Sequence, residues 1–249
     1  DSPEAFEEVL WLTYLRERIV AERTLEPLTS EMVSAQFEDA FRSTVKKLLA
    51  ESDSDVRYLS KNNANISRLG VLSQLFPDGT IVVAFREPSA HIASLMRQHR
   101  RFSEAHSTDT FARRYMAWIG HFEFGLNFRP INFSGWLDGR EIDQNPTAAF
   151  WLRYWAAAYR HALEHRTSNV VFVDFDRLLA EQTSYLAAIV RAVQMRRPEL
   201  LVDQAPRLRQ PTTKVPAPAS GDDALEAARA VHAELRACAL AAPPPMANA

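Results

Sequence analysis

Apolar positions recur at helical spacing along most of this chain, broken by a few short runs in which nearly every residue is apolar. Val33, Phe37, Phe41, Val45 and Leu48/Leu49 share one face of a helix predicted over residues 31–50, and that stripe reads as core. Similar patterns predict helices over 3–22, 66–76, 89–101, 108–128, 147–166, 179–195 and 222–240. The first has Ser2 as its N-cap, Pro3 at its first position and Glu4 in its first turn. The short runs at 56–60, 81–85 and 170–173 predict strands. The near-continuous apolar character of 81–85 suits a parallel strand covered on both faces.

Turn residues punctuate these elements. Pro77 and Asp78-Gly79 stop the helix at 66–76, and Asn65 is its expected N-cap. Residues 129–145 carry Pro130, Gly135 and Gly139 and read as irregular. Four prolines, Pro206, Pro211, Pro216 and Pro218, make 205–220 a loop or extended segment. Strands alternating with helices imply parallel βαβ units, hence a helix-rich α/β fold over residues 1–241 as one domain, with 242–249 a disordered tail.

Each of the first two strands ends on a cation: Lys61 after 56–60 and Arg86 after 81–85. Open α/β sheets bind ligands beyond the carboxyl ends of their strands. Two cations there, each followed by a helix N-terminus, suit a phosphorylated or sulfated anion. Ser94 lies eight residues after Arg86, in the second turn of the next helix, where its hydroxyl can donate to the same anion. Spacing alone leaves other readings open: Arg86 paired with adjacent Glu87, Ser94 filling a helix position, Lys61 solvated.

Composition narrows the class. Hydrophobic residues are 47% and charged residues 24% of the chain, a globular balance. With 29 basic and 31 acidic residues the net charge is −2, which argues against a broad nucleic-acid surface but not against a local anion pocket. The one cysteine, Cys238, allows no disulfide within the chain, so a reducing, cytoplasmic setting is expected. No apolar run approaches the roughly 20 residues that span a bilayer.

The segment FREPSAHIASL, with Arg86, Glu87, Pro88 and Ser94, resembles the 3′-phosphate-binding segment of sulfotransferases that use 3′-phosphoadenosine-5′-phosphosulfate (PAPS). The preceding YLSKNNANISRLGVLSQLFPDGTIVVAFR resembles the strand–Lys–helix–strand of that family. The likeness is close over 56–102 and extends more loosely through GHFEFGLNFRP and VVFVDFDRLL. It implies a P-loop-NTPase-like three-layer α/β/α fold with a parallel sheet. It implies Arg86 and Ser94 on the 3′-phosphate, and Lys61 stabilising charge on the bridging oxygen of the transferred sulfuryl group. PAPS would be the co-substrate, with no metal, and a small-molecule or carbohydrate hydroxyl or amine the acceptor. The family's late basic loop points to Arg209 in the segment around LRQPTTK, beside Arg207 and Lys214, although its usual Arg-Lys-Gly pattern is absent.

Departures from the pattern matter equally. Many relatives place a His just after the strand-end Lys as the base, and KNNANIS has none. Carboxylate-based relatives point to Glu4, Glu7 or Glu8; Glu7 is the candidate base, though all three also suit a helix N-terminus. His91, His99 and His121 are further candidates, and His121 with Glu123 is placed to line an acceptor pocket. The aromatic residues of 111–128 and 150–159 are expected to be mostly core. The family opens on a strand and a Gly-containing phosphosulfate loop. This chain has 7 glycines, none clustered, and neither GxxxxGK[ST] nor GxGxxG. A first strand and loop preceding residue 1 is therefore expected, and little transferase activity from these 249 residues alone. A non-catalytic binding or scaffold protein keeping the fold is the alternative. A P-loop kinase is disfavoured by the missing Walker lysine motif.

Overall fold

The amphipathic stripes set the architecture. A computed structural model describes residues 7–50, 56–209 and 223–241. In chain order the helices are α1 (Glu7–Ile19), α2 (Ala35–Leu49), α3 (Leu69–Leu75), α4 (Pro88–Thr108), α5 (Thr110–Trp118), α6 (Ala148–Glu164), α7 (Phe175–Ala180), α8 (Gln182–Ala192), α9 (Glu199–Val202) and α10 (Asp223–Cys238). The strands are β1 (Ile81–Phe85) and β2 (Val170–Asp174). They pair in parallel over five rungs, from Ile81 opposite Val170 to Phe85 opposite Asp174.

This register puts Val83, Phe85, Val170 and Phe172 on one face of the sheet, against α4, α6 and α10. Trp151, Leu152, Trp155, Tyr159 and Ala162 of α6 form a buried helical stripe there. Across from it α10 presents Ala224, Leu225, Ala228, Val231 and Leu235, and its small residues let the two helices approach closely. Val173 faces the other way, into a smaller cluster with Leu178, Tyr185, Leu186 and Ala205. A third cluster joins α1, α2 and α3. Trp11 packs against Phe37 and Phe41 of α2, with ring centroids 4.6 and 5.3 Å apart. The fold is thus a helix-rich α/β arrangement on a small parallel sheet, as the sulfotransferase resemblance implies.

Several expected boundaries move. The strand at 56–60 does not form: its residues run without a ladder partner, with Leu59 91% and Val56 46% exposed. An apolar run becomes a strand only where a neighbouring edge accepts its hydrogen bonds. β1 is not covered on both faces either, since Val82 is 44% exposed while Val83 and Phe85 are buried. The helix at 31–50 is delayed to α2 because Ser34 caps it, accepting from the Phe37 amide at 3.3 Å. The helix at 66–76 is a 3₁₀ turn, Asn63–Ser67, then α3, with Arg68 between them. Asn62, not Asn65, is its cap. The helix at 108–128 ends at Trp118, and that at 179–195 divides into α7 and α8. The helix at 89–101 runs on to Thr108, about two turns further, and those ending near 22, 166 and 240 stop two or three residues earlier. Residues 1–6, with Ser2, Pro3 and Glu4, and the loop and tail at 210–222 and 242–249 lie outside the described residues. No helix among the described residues is long and apolar enough to cross a membrane.

Gly120 ends the α5 region at φ +84°, where a Cβ would sit 2.6 Å from Glu8 Cγ and 2.8 Å from Leu12 Cδ1. Gly139 also has positive φ, +67°, but open space around it. Gly120→Ala is therefore expected to cost about 2–3 kcal/mol, and Gly139→Ala only about 1 kcal/mol, in urea unfolding. Equal losses would mean that contact with α1 does not set the requirement at Gly120.

Two histidines are held as neutral bases. His91 accepts from Trp155 Nε1 at 3.0 Å, and burial followed by the nearby Arg86 charge lowers its pKa to about 4. Burial, then the stacked His165 ring 3.9 Å away, lowers His161 to about 4. Both titrate near 6.5 in the unfolded chain. Between about pH 6.5 and 4 the unfolded state therefore binds more protons, and stability falls as the pH falls. These two groups contribute a slope of up to about 2.7 kcal/mol per pH unit. In His91→Gln, whose amide oxygen still accepts from Trp155, the slope measured by denaturation at stepped pH drops by about half this value. An unchanged slope would overturn the assignment for His91.

Candidate functional site

The five-rung ladder ends with Phe85 beside Asp174, so the segments leaving the two strands are brought together. Arg86 leaves β1 half-buried, its guanidinium 5.8 Å from the Phe175 ring. Its Nε is 3.5 Å from Asp176 Oδ1, an ion pair rather than a hydrogen bond, and that buried Nε makes no hydrogen bond to a described residue. Asp176 Oδ2 accepts from the Glu87 backbone amide at 2.6 Å, so one carboxylate bridges the chain leaving β1 and the first turn of α7.

Asp174 is the second carboxylate. It is 3% exposed and caps α7, its Oδ1 accepting from the amides of Asp176 and Arg177 at 3.0 and 3.1 Å. Its Oδ2 lies 3.4 Å from Arg236 Nε on α10. His232, one turn earlier on α10, packs on Phe85 at 5.7 Å with its Nε2 buried and unpartnered among the described residues. The strand ends thus gather two arginines, two aspartates and two neutral-leaning histidines from four elements. Burial is the main cause that lowers both His91 and His232.

The helix N-terminus expected to receive an anion is partly spoken for. Glu87 caps α4, its Oε2 accepting from the Ala90 amide at 2.7 Å. An acceptor carboxylate there satisfies an amide that a phosphate would otherwise use. Ser94 is half-buried in the second turn of α4 and makes no side-chain hydrogen bond to a described residue.

Lys61 and Glu7 belong to a different cluster. Lys61 is exposed, on the unpaired stretch rather than at a strand end. On either side of it, Tyr58 donates to Glu7 Oε2 at 2.9 Å and Asn62 Nδ2 to Glu8 Oε2 at 2.7 Å. Asn65 Nδ2 reaches Glu7 Oε1 at 3.3 Å, while its own Oδ1 accepts from Arg68 Nε at 3.0 Å. Arg68 is 2% exposed, pairs with Glu8 and lies 4.1 Å over the Trp11 ring. Burial, then the Glu7 charge, raises the Tyr58 pKa, so its phenol stays a donor to Glu7. Glu7 is 8% exposed with both oxygens engaged, which orients it firmly against the segment carrying Lys61.

Arg209 is exposed just after Leu208, whose carbonyl accepts from Gln182 at the start of α8 at 3.4 Å. It joins neither cluster. Lys214 lies outside the described residues. His99 is a structural residue, its Nε2 within 2.8 Å of the Gln144 carbonyl and its Nδ1 accepting from Gly125. His121 Nδ1 and Glu123 lie 3.5 Å apart. The aromatic residues of α6 are core as expected, but Phe111 and Trp118 of α5 are 69% and 70% exposed. Among the described residues, no group of three or more His, Cys, Asp or Glu is arranged to hold a metal ion.

Sequence reasoning missed Arg68, Asp174, Asp176, His232 and Arg236. The run VVFVDFDRLL held a signal for Asp174, since an Asp between an apolar strand and a helical stripe is a cap in waiting. Nothing local marks Arg236 or Arg68, whose partners are 62 and 60 residues away.

Comparison with known proteins adds one finding. The curated proteins and the solved structures contain no match. The profile of the sulfotransferase family matches residues 5–199, well over half of the chain, and takes in Glu7, Lys61, Arg86, Asp174 and Asp176 but not His232 and Arg236 of α10. With the parallel strand pair, its trailing Arg86 and the helices that cover it, that match shows that the chain belongs to the sulfotransferase family.

Proposed function

We propose that this protein moves the sulfuryl group of PAPS to a hydroxyl or amine of a small-molecule or carbohydrate acceptor, in a reducing, cytoplasmic setting. The observation that carries the reading is Arg86. Its planar fork projects from the carboxyl end of a parallel strand, with a buried Nε that has no hydrogen bond to a described residue. An orphaned guanidinium donor at that position suits a phosphate oxygen. In this reading Arg86 and Ser94 take the 3′-phosphate, and Arg209 is a weaker candidate for closing over the nucleotide.

The chemistry assigned to the other cluster comes from charge. The acceptor oxygen or nitrogen forms a bond to sulfur as the bond from sulfur to the bridging phosphate oxygen breaks. Negative charge grows on that bridging oxygen, where the ammonium of Lys61 would stabilise it. The acceptor proton passes to a carboxylate, for which Glu7 is the candidate. The hydrogen bonds from Tyr58 and Asn65 orient Glu7, and an acceptor hydroxyl would take the place of one of them. The products are adenosine 3′,5′-bisphosphate and the sulfated acceptor.

Asp176 competes with any phosphate for Arg86. That competition gives the reading a test with two directions. Calorimetric titration of adenosine 3′,5′-bisphosphate into the chain should show binding preferred over AMP. Arg86→Ala should weaken it about tenfold or more, the cost of a lost charge-assisted bidentate contact. Asp176→Asn removes the competing charge yet keeps an acceptor for the Glu87 amide, and should tighten binding several-fold. Binding indifferent to both substitutions would overturn the assignment of Arg86, and absence of any preference over AMP would overturn a 3′-phosphate site in this chain.

A further inference from the structure

Among the described residues, α5 is the longer helix whose apolar stripe is left outside. It contributes no buried residue at all. Phe111, Tyr115 and Trp118 are 69%, 41% and 70% exposed, at spacings of four and three that place them on one face. The Phe111 and Tyr115 rings stack, 6.1 Å apart at 17°, so they form a ridge rather than separate protrusions. Arg114, also exposed, falls on the same face between them. The helix itself is anchored. Arg113 Nε donates to Asn127 Oδ1 at 3.2 Å, and Asn127 Nδ2 donates back to the Arg113 carbonyl at 2.7 Å.

The segment that carries the ridge is basic in sequence. Residues 97–118 carry Arg97, Arg100, Arg101, Arg113 and Arg114 against only Glu104 and Asp109, five cations to two acids in a chain whose net charge is −2. All five arginines are exposed, and Asp109 is engaged as the cap of α5. Large aromatic residues exposed together in this way mark an interaction site.

We propose that the Phe111–Tyr115–Trp118 ridge is an interfacial anchor that docks the protein on an anionic lipid bilayer surface. Tyr and Trp rings, apolar with one polar edge, favour the water–lipid boundary, and Phe favours the acyl side of it. Flanking arginines draw such a helix to anionic headgroups. A convex ridge fits a deformable surface without needing a matched groove. Self-pairing through a two-fold axis would set the basic ridge of one copy against that of the other, which like-charge repulsion opposes. The anchor is independent of the sulfuryl donor and of Arg86.

The test uses the whole chain with phosphatidylcholine vesicles, with and without phosphatidylglycerol. Co-sedimentation should require the anionic lipid. The Phe111→Ser/Trp118→Ser double variant should lose binding by about tenfold or more, since both changes remove buried apolar area at the interface. These side chains pack on no core, so circular dichroism should be unchanged. Lipids brominated on the acyl chain should quench Trp118 selectively, because Trp11, Trp151 and Trp155 are 0%, 1% and 3% exposed and Trp136 is stacked on Tyr154. Trp118→Phe should keep binding yet lose most of the quenching. Arg114→Ser should weaken binding to the anionic vesicles alone. Failure to sediment with anionic vesicles, or binding untouched by the double variant, overturns the proposal. So does self-association that depends on Trp118 in light scattering without vesicle binding, which would make the ridge a protein interface.

Discussion

Parallel pairing of β1 with β2 is the constraint on which the rest of the site depends. Five rungs align two strands 89 residues apart in sequence, and their common ending sets Arg86 beside the first turn of α7. Parallel strands demand a long crossover, and here α4, α5 and α6 supply it. The crossover carries the stripe of α6 onto the sheet, so the apolar burial that drives folding also fixes the polar ends. Tyr159 shows the coupling directly: a core residue of α6, it donates to the Ala84 carbonyl at 2.8 Å, two residues before Arg86. Burial raises its pKa, which keeps the phenol a donor at any ordinary pH.

How far the sequence could be read depends on how local each determinant is. Stripes such as Trp151, Trp155 and Tyr159, or Ala224, Ala228, Val231 and Leu235, repeat every turn and announce their helices. Caps such as Ser34, Thr147 and Asp109 are equally local. The strand at 56–60 failed because an extended run is only half of a strand; the other half is a partner edge that composition does not contain. Pattern alone also promised burial for the aromatic residues of α5, yet periodicity says that a helix has a face, not that something covers it. Arg86 was legible as a strand-end cation. Its competition with Asp176 was not, since 90 residues separate the pair.

The Arg68 cluster shows how the fold handles charge it cannot expose. A guanidinium 2% exposed is tolerable only with near-complete pairing, and Glu8, Asn65 and the Trp11 face together supply it. Such a pair adds little net stability over an apolar one, because desolvation offsets the attraction. Its contribution is geometry. It locks α1 to the 3₁₀ turn and α3, and leaves Glu7, one residue from Glu8, facing Tyr58 and the stretch that carries Lys61.

The two clusters therefore solve opposite electrostatic problems. Around Arg68 the donors and acceptors are closely matched, and little can enter without breaking a buried pair. Around Arg86 the matching is incomplete: Nε is buried without a hydrogen bond to a described residue, His232 Nε2 is likewise orphaned, and the Asp176 contact is long and partly exposed at 41%. Buried donors left unmatched cost stability that a folded chain rarely concedes without return. An incoming phosphate dianion would satisfy the Arg86 donor more fully than one distant carboxylate oxygen does, because short bidentate contacts outweigh a single long one in the same half-buried setting. Asp176 Oδ2 can stay on the Glu87 amide while water replaces Arg86 at Oδ1 on the exposed side, so exchange at Arg86 strands no buried charge. The incomplete arrangement leaves donors free to meet a ligand, and the complete one is a frame that holds Glu7 in position.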